Sequence, residues 1–316
     1  MDRNCSPQYM RIASLDIGTN TILLLIADVS TNGIERVVHD EQVIARIGQG
    51  VDANRIISRE TFLRAESFLE EYKKKCDSLN VDTIIAVGTS ALRDAKNTEE
   101  FCAYIHEHVG ISIEVISGNE EAEWTYRGGI SEFLHRANRF SVLDIGGGST
   151  EIIIGNNTTI ESKISIDIGS VRLTERILKG SPPEETALIE AHEFIKAQIP
   201  KNIATKLSPT FVIGVAGTLT TLASLHQRLP QYDSAKVSGY TLQYHDVCAL
   251  FALLKDKSLD QIRRFPQITK GREDIILAGT MILMGCMEAA QLQSITVSDR
   301  GLRYGMIFRE LERRRY

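Results

Sequence analysis

The sequence lacks any apolar run that approaches the length of a membrane span, and the strand-like stretch over residues 21–27 is stopped by Asp28. Its first residues, Met1-Asp-Arg-Asn-Cys-Ser-Pro, have no apolar core of the kind a signal peptide carries. Cysteine is sparse: Cys5, Cys76, Cys102, Cys248 and Cys286 are scattered, odd in number and form no C-x-x-C pair. That pattern argues against a zinc site and for reduced thiols in a cytoplasm. Excess positive charge is missing too. A formal net charge of −5 does not suit a nucleic-acid binder, and it weighs against a polyanionic substrate unless basic residues gather locally. Candidates for such a patch are Arg46, Arg93, Arg127, Arg172, Arg272, Arg300 and Arg303, whereas Arg313-Arg314-Arg315 reads as a solvated helix end. No G-x-x-x-x-G-K-[ST] loop and no G-x-G-x-x-G after a strand is present, which excludes P-loop and Rossmann phosphate handling. His192-Glu193 is not continued as H-E-x-x-H, so a zinc protease is excluded.

What is there is a chain of 316 residues, 43% hydrophobic and 24% charged, long enough for two soluble domains with their own cores. A glycine-rich acidic turn occurs twice, as Asp16-Ile17-Gly18-Thr19-Asn20 and as Asp144-Ile145-Gly146-Gly147-Gly148-Ser149-Thr150. Each copy lies between two short apolar, strand-like runs. Glycines let the backbone bring successive N–H groups close to an anion, and Ser and Thr add hydroxyl donors. The leading Asp is placed to hold a cation. One copy alone could be an ordinary hairpin turn; two together read as a duplicated site for a metal-bound phosphate. A third glycine turn, Gly214-Val215-Ala216-Gly217-Thr218, sits between a strand and a helix, where free N–H groups and the macrodipole favour an anion. It equally fits a tight turn capped by Thr218.

The pattern predicts strands over 11–16, 21–29 and 35–47, then a helix from an N-cap at Ser58 to Leu79 with Phe62, Ala65, Phe68, Leu69 and Tyr72 on its apolar face. A strand over 83–87, a helix over 98–108, a strand over 111–116 and a helix over 119–133 complete the first half. The second half repeats that order, with strands over 140–144, 151–154, 158–167, 211–213 and 294–297. Its helices are expected over 182–199, after a Ser181-Pro182-Glu184 capping box, then to about Leu225, over 244–257, 272–290 and 301–313. Two β-β-β-α-β-α-β-α units point to internal duplication. The boundary is expected near the helix over 119–133, with a hinge neighbourhood at 135–139. Ser117 and Glu120 fit a further capping box, which leaves Glu121 free; Trp124, the only tryptophan, and Tyr126 read as core.

These turns resemble the three phosphate loops of the sugar kinase, actin and heat-shock chaperone superfamily. Within it, five segments resemble the exopolyphosphatase and guanosine pentaphosphate phosphohydrolase family. They are Thr89-Ser-Ala-Leu-Arg93-Asp-Ala-Lys-Asn97, Ile116-Ser-Gly-Asn-Glu-Glu121-Ala, Asp144-Ile-Gly-Gly-Gly-Ser-Thr-Glu151, Gly214-Val-Ala-Gly-Thr-Leu-Thr-Thr221 and Arg272-Glu-Asp-Ile-Ile-Leu-Ala-Gly279. The likeness runs from about Arg11 to the end of the chain. It implies an α/β protein of two duplicated ribonuclease H-like (actin-like ATPase) domains, each a mixed five-stranded sheet with flanking helices, with a cleft between them. The domains would span 1–126 and 127–316, with a last helix at about 301–316 able to pack back on the first. Longer members append helical domains and grip long chains partly through them. This chain resembles the short form, so processivity does not follow from the resemblance. The family often has Ala where Glu273 stands, a departure expected to matter little.

The implied activity is release of the terminal phosphate of inorganic polyphosphate, with pppGpp and nucleoside triphosphates as further candidate substrates. In-line attack by water needs a base and positive charge on the phosphoryl oxygens. The resemblance makes Glu121 the base and Arg93 the phosphate clamp, and the residues alone leave a helix-terminus role for Glu121 and an ion pair with Asp94 for Arg93. Gly18, Thr19, Asn20, Gly146, Gly147, Gly148, Ser149, Gly217 and Thr218 would hold phosphate. Asp16, Asp144 and Glu151 would hold Mg²⁺, or Mn²⁺ in its place, largely through water; a strand-edge surface position is the other reading of Glu151. K⁺ is a family expectation as activator, and a C2 homodimer is the default for an oligomer. A small-molecule kinase on the same fold and a non-catalytic alarmone sensor are the competing readings.

Overall fold

The computed structural model describes residues 9–207 and 210–314. Cys5, the residues before Tyr9 and Arg315 therefore lie outside the described residues. The chain divides into two compact units: the described residues up to Trp124 with those from Leu302 onward, and Thr125–Gly301. The division falls inside one helix, Gly118–Ile130, so the expected hinge neighbourhood at 135–139 belongs wholly to the second unit, where Arg139 opens a strand.

The first unit is built on a mixed five-stranded sheet of order β3-β2-β1-β4-β5: β1 Met10–Ile17, β2 Ile22–Ser30, β3 Gly33–Val43, β4 Thr83–Gly88 and β5 Ile113–Val115. β1 runs antiparallel to β2 and parallel to β4. Because strand side chains alternate, Ala13, Leu15 and Ile17 face one way, into a core with Phe62, Leu69, Phe101 and Ile105 of the helices Arg59–Ser78 and Thr98–Val109. Ile12 faces the other way and packs with Tyr304, Ile307 and Leu311 of the last helix, Leu302–Arg314. Asp16 shares the Ile12 face. Ser58 caps its helix as expected, its Oγ accepting from the Thr61 amide.

The second unit repeats the plan and adds a strand. Its sheet runs β10-β11-β9-β6-β7-β8, with β6 Arg139–Ile145, β7 Thr150–Asn156, β8 Ile160–Ile166, β9 Phe211–Val215, β10 Thr241–Gln243 and β11 Ser294–Val297. β6 pairs antiparallel with β7 and parallel with β9, as β1 does with β2 and β4. The sheet is six-stranded rather than five because β10 adds antiparallel to β11. At three residues, β10 is too short to announce itself by alternation.

Local structure departs from expectation at the predicted capping box of residues 181–184. The helix there is Glu185–Gln198 with Glu184 at the N-cap and no side-chain cap. The Ser181 hydroxyl is used elsewhere, accepting from the Leu259 amide at 2.6 Å. The helix expected from 272 begins instead at Ile276, after a turn over 271–275. Among the described residues no helix is long and apolar enough to cross a membrane.

Candidate active site

Each unit presents its glycine turn in the same way. In the first, the Gly18 amide donates to the Thr21 carbonyl at 3.0 Å; in the second, the Gly146 amide donates to the Ser149 carbonyl at 3.0 Å. The offset from the leading aspartate is identical. A Cβ on either glycine would come within 3.0 and 3.1 Å of that same carbonyl oxygen, so both turns are too tight for a side chain to enter freely. Among the described residues the amides of Thr19 and Asn20, and those of Gly147 and Gly148, find no backbone acceptor. Asn20 is buried, and its Nδ2 has no partner among the described residues. Buried donors without acceptors are rare, and an anion is the ligand that would satisfy them.

In the first unit the structure brings Asp16, Arg93 and Glu121 together. Arg93 lies in the last turn of the short helix Ser90–Asp94 that follows β4, and Glu121 lies in the first turn of Gly118–Ile130. Arg93 Nη1 donates to Glu121 Oε2 at 2.6 Å and to the Ile116 carbonyl at 3.2 Å. Asp94 pairs with Arg55 instead, at 3.1 Å. Glu120 makes the expected capping box, its carboxylate accepting from the Ser117 amide at 3.0 Å while Ser117 Oγ accepts from the Glu120 amide at 3.2 Å. Glu121 is thereby left to face Arg93.

Burial raises the pKa of the Glu121 carboxyl, and the Arg93 charge and hydrogen bond pull it back down. Asp16 is pushed up to about 7, first by burial, then by the negative charge of Glu121, with Arg303 acting in the opposite sense. Arg303 was named in the sequence only as one candidate for a basic patch. The fold places it on the helix that covers the Asp16 face, buried, with Nη2 donating to Asp40 at 3.0 Å and its guanidinium 5.3 Å from the Tyr304 ring centroid.

In the second unit Asp144 and Glu151 are directly opposed on β6 and β7, so their carboxylates share one face of the sheet. Glu151 is only 4% exposed and accepts from Ser165 Oγ at 3.0 Å; it is not a strand-edge surface residue. Two like charges opposite each other destabilise a strand pair unless something positive lies with them. Among the described residues no group of three or more His, Cys, Asp or Glu could hold a metal with protein donors alone. Two carboxylates suit a Mg²⁺ that keeps most of its water or takes phosphate oxygens.

The third turn is folded differently from a simple Thr218 cap. Val215 is the N-cap of the helix Ala216–His226, and Ala216 adopts φ 72°. Thr218 is buried with its side chain against Gly279 of the helix Ile276–Ala289. Gly217 lies against the Arg272 guanidinium, where a Cβ would meet Nη1 at 1.9 Å. Burial lowers Arg272 to about 10, with Tyr232 acting in the opposite sense. Its neighbour Glu273 has more to do than expected: it is buried and accepts from Arg263 Nε at 2.9 Å and from the Gly271 amide at 2.5 Å, fixing the turn that carries Arg272.

Known proteins are similar to this chain along nearly its whole length. Exopolyphosphatase 2 of Mycobacterium tuberculosis is 34% identical over 311 residues, covering 94% of this chain and 97% of that protein. A guanosine-5'-triphosphate,3'-diphosphate pyrophosphatase of Pseudoalteromonas atlantica is 28% identical over 309 residues, and the match spans 58% of its length. The crystal structure of the Aquifex aeolicus Ppx/GppA family member superposes with a TM-score of 0.80 at 32% identity, covering 98% of this chain and 100% of that one. A profile of the Ppx/GppA phosphatase family matches residues 25–314, and with these likenesses the chain belongs to that family.

Proposed function

We propose that this chain is a phosphoanhydride hydrolase that releases the terminal phosphate of inorganic polyphosphate, and that pppGpp is a second substrate of the same chemistry. Glu121 takes the proton of the attacking water, and Arg93 holds Glu121 in place and offers its remaining donors to the phosphoryl oxygens. The paired turns, through the free amides of Thr19, Asn20, Gly147 and Gly148 and the hydroxyls of Thr19 and Ser149, bind phosphate oxygens; Gly18 and Gly146 permit the turns, and Gly217 and Thr218 hold the third loop. Asp16 in the first unit, and Asp144 and Glu151 in the second, are the carboxylates that would hold Mg²⁺. That ion would neutralise charge developing on the phosphoryl group. K⁺ as activator and a cytoplasmic setting belong to the same reading; Cys76, Cys102, Cys248 and Cys286 are free thiols.

The observation that carries the reading is the part-buried Arg93–Glu121 pair beside Asp16, in a chain that matches an exopolyphosphatase over nearly its whole length. A phosphate-release panel over polyphosphates of several lengths, pppGpp and ATP, with and without Mg²⁺ and in the presence of K⁺, tests it. Mg²⁺-dependent release from polyphosphate or pppGpp is the expected result. Transfer from ATP to an added acceptor, with no free phosphate, would overturn it.

A further inference from the structure

The glycine turns do not stand alone. In each unit the segment after the third strand runs behind the turn and takes up its carbonyls. In the second unit, Ser170 donates its amide to the Gly146 carbonyl at 2.9 Å, and Val171 and Arg172 donate theirs to the Gly147 carbonyl at 2.9 and 3.1 Å. Ser170 Oγ adds a bond to the Gly146 carbonyl at 3.2 Å, and buried Thr150 Oγ1 donates to the Ile168 carbonyl at 2.7 Å. In the first unit, after β3, Gly48 donates to the Thr19 carbonyl at 2.8 Å and Arg46 to the Asn20 carbonyl at 2.9 Å. With its carbonyls held from behind, each turn keeps amides that have no backbone acceptor: Thr19 and Asn20 in one, Gly147 and Gly148 in the other.

The close approach needs glycine in both straps. A Cβ at Gly169 would lie 2.4 Å from the carbonyl carbon and oxygen of Gly147 and 2.6 Å from the carbonyl carbon of Gly148. Gly169 has φ −140°, which any residue can adopt, so the requirement is space and not conformation. The obstacle is backbone, which cannot swing aside as a long side chain can. At Gly48 a Cβ would meet Thr19 Cγ2 at 2.3 Å. The duplication therefore extends beyond the turns to their supports.

We propose that the two straps, residues 45–48 and 168–172, are positioning elements, each of which aims the amides of its own unit's turn at phosphate groups of a polyphosphate-type anion, and that Gly48 and Gly169 are the residues that permit it. The proposal rests on the phosphohydrolase reading for the identity of the anion. It adds residues that touch no substrate and act through the turns.

The test is calorimetric binding of inorganic tripolyphosphate in Mg²⁺, with melting temperature and the kcat and KM of phosphate release alongside. Gly169→Ala is expected to weaken tripolyphosphate binding by about tenfold or more, with a matching rise in KM and a lowered melting temperature, because the Gly147 backbone has to shift. Gly48→Ala is expected to act in the same direction, with a smaller effect because a side chain can yield. Should Gly169→Ala fail to fold, Thr150→Val decides: it removes the Ile168 bond and is expected to weaken binding by roughly three- to tenfold. Wild-type affinity in a folded Gly169→Ala, or in Thr150→Val when it decides, would overturn the proposal. So would a lowered melting temperature with unchanged affinity of the folded protein, because that is what a merely structural glycine gives. A wild type that binds tripolyphosphate and hydrolyses nothing would defeat the hydrolase reading while leaving the straps to be judged on binding. A wild type that binds no tripolyphosphate would defeat both.

Discussion

Replacing Glu121 by Gln separates chemistry from binding. The amide keeps an oxygen that can accept from Arg93 Nη1, now 2.6 Å from the carboxylate, and the Ile116 carbonyl still holds the guanidinium at 3.2 Å. What is lost is the charge-assisted part of one hydrogen bond, about 1–2 kcal/mol. The loss is offset in part, because burial already disfavours the ionised carboxyl. Folding stability should therefore change little. Catalysis should not be spared, because an amide cannot take a proton from water. General-base catalysis typically contributes about 10²–10⁴-fold, or roughly 3–5 kcal/mol of transition-state stabilisation. The expected outcome is a fall of that size in phosphate release at saturating polyphosphate, with melting temperature and tripolyphosphate affinity near wild type. Turnover within about threefold of wild type in a folded Glu121→Gln protein would refute the assignment of Glu121 as base.

The base must be ionised, so the acid limb of kcat/KM should lie above the ordinary carboxylate range; Arg93 lowers the Glu121 pKa, and Arg93→Ala should move that limb to still higher pH, as a pH–rate profile will read. A limb that stays put or moves down would contradict the pairing. Asp16, held at about 7 against 3.8 as its ordinary value, keeps its proton in the folded state over a window in which the unfolded chain has lost it. Metal-free stability should thus fall as pH rises from about 4 to 7, by up to about 4 kcal/mol, and level off above. Urea unfolding in chelator should show a shallower slope in Asp16→Asn than in wild type, the remainder coming from Glu121, whose pKa burial also raises; equal slopes would contradict the burial argument. Glu273→Ala should cost about 1–3 kcal/mol in thermal unfolding, because it strands Arg263 Nε and the Gly271 amide, whereas an unchanged melting temperature would mean the turn is held by other contacts.

The parts of the site that were legible in the sequence are those written in short range. The aspartate-led turns stand out because glycine, hydroxyl and carboxylate recur at the same offsets between apolar runs, and the fold places both turns between the first two strands of their units. Ser58 and the Ser117–Glu120 box were readable because a cap is a contact three residues long. Long-range partners were not. Nothing local says that Arg93 takes Glu121, 28 positions on, in place of its neighbour Asp94, or that Arg303 comes to lie over the Asp16 face. The straps escaped for a related reason: their donors are backbone amides, which every sequence has, and their glycines are isolated. The Ser181-Pro182-Glu184 pattern misled because its hydroxyl had a competing partner in Leu259, distant in sequence. The strand β10 gave no signal, since three residues pairing with β11 carry no period to detect.

Hydrolysis in water enriched in ¹⁸O tests the central claim most directly. Attack on the terminal phosphorus of polyphosphate puts one solvent oxygen into each orthophosphate released and none into the remaining chain. The account predicts that pattern in wild type, dependent on Mg²⁺, with the appearance of labelled orthophosphate slowed by about 10²–10⁴-fold in Glu121→Gln. Label appearing in the shortened polyphosphate, or orthophosphate released without label, would contradict it.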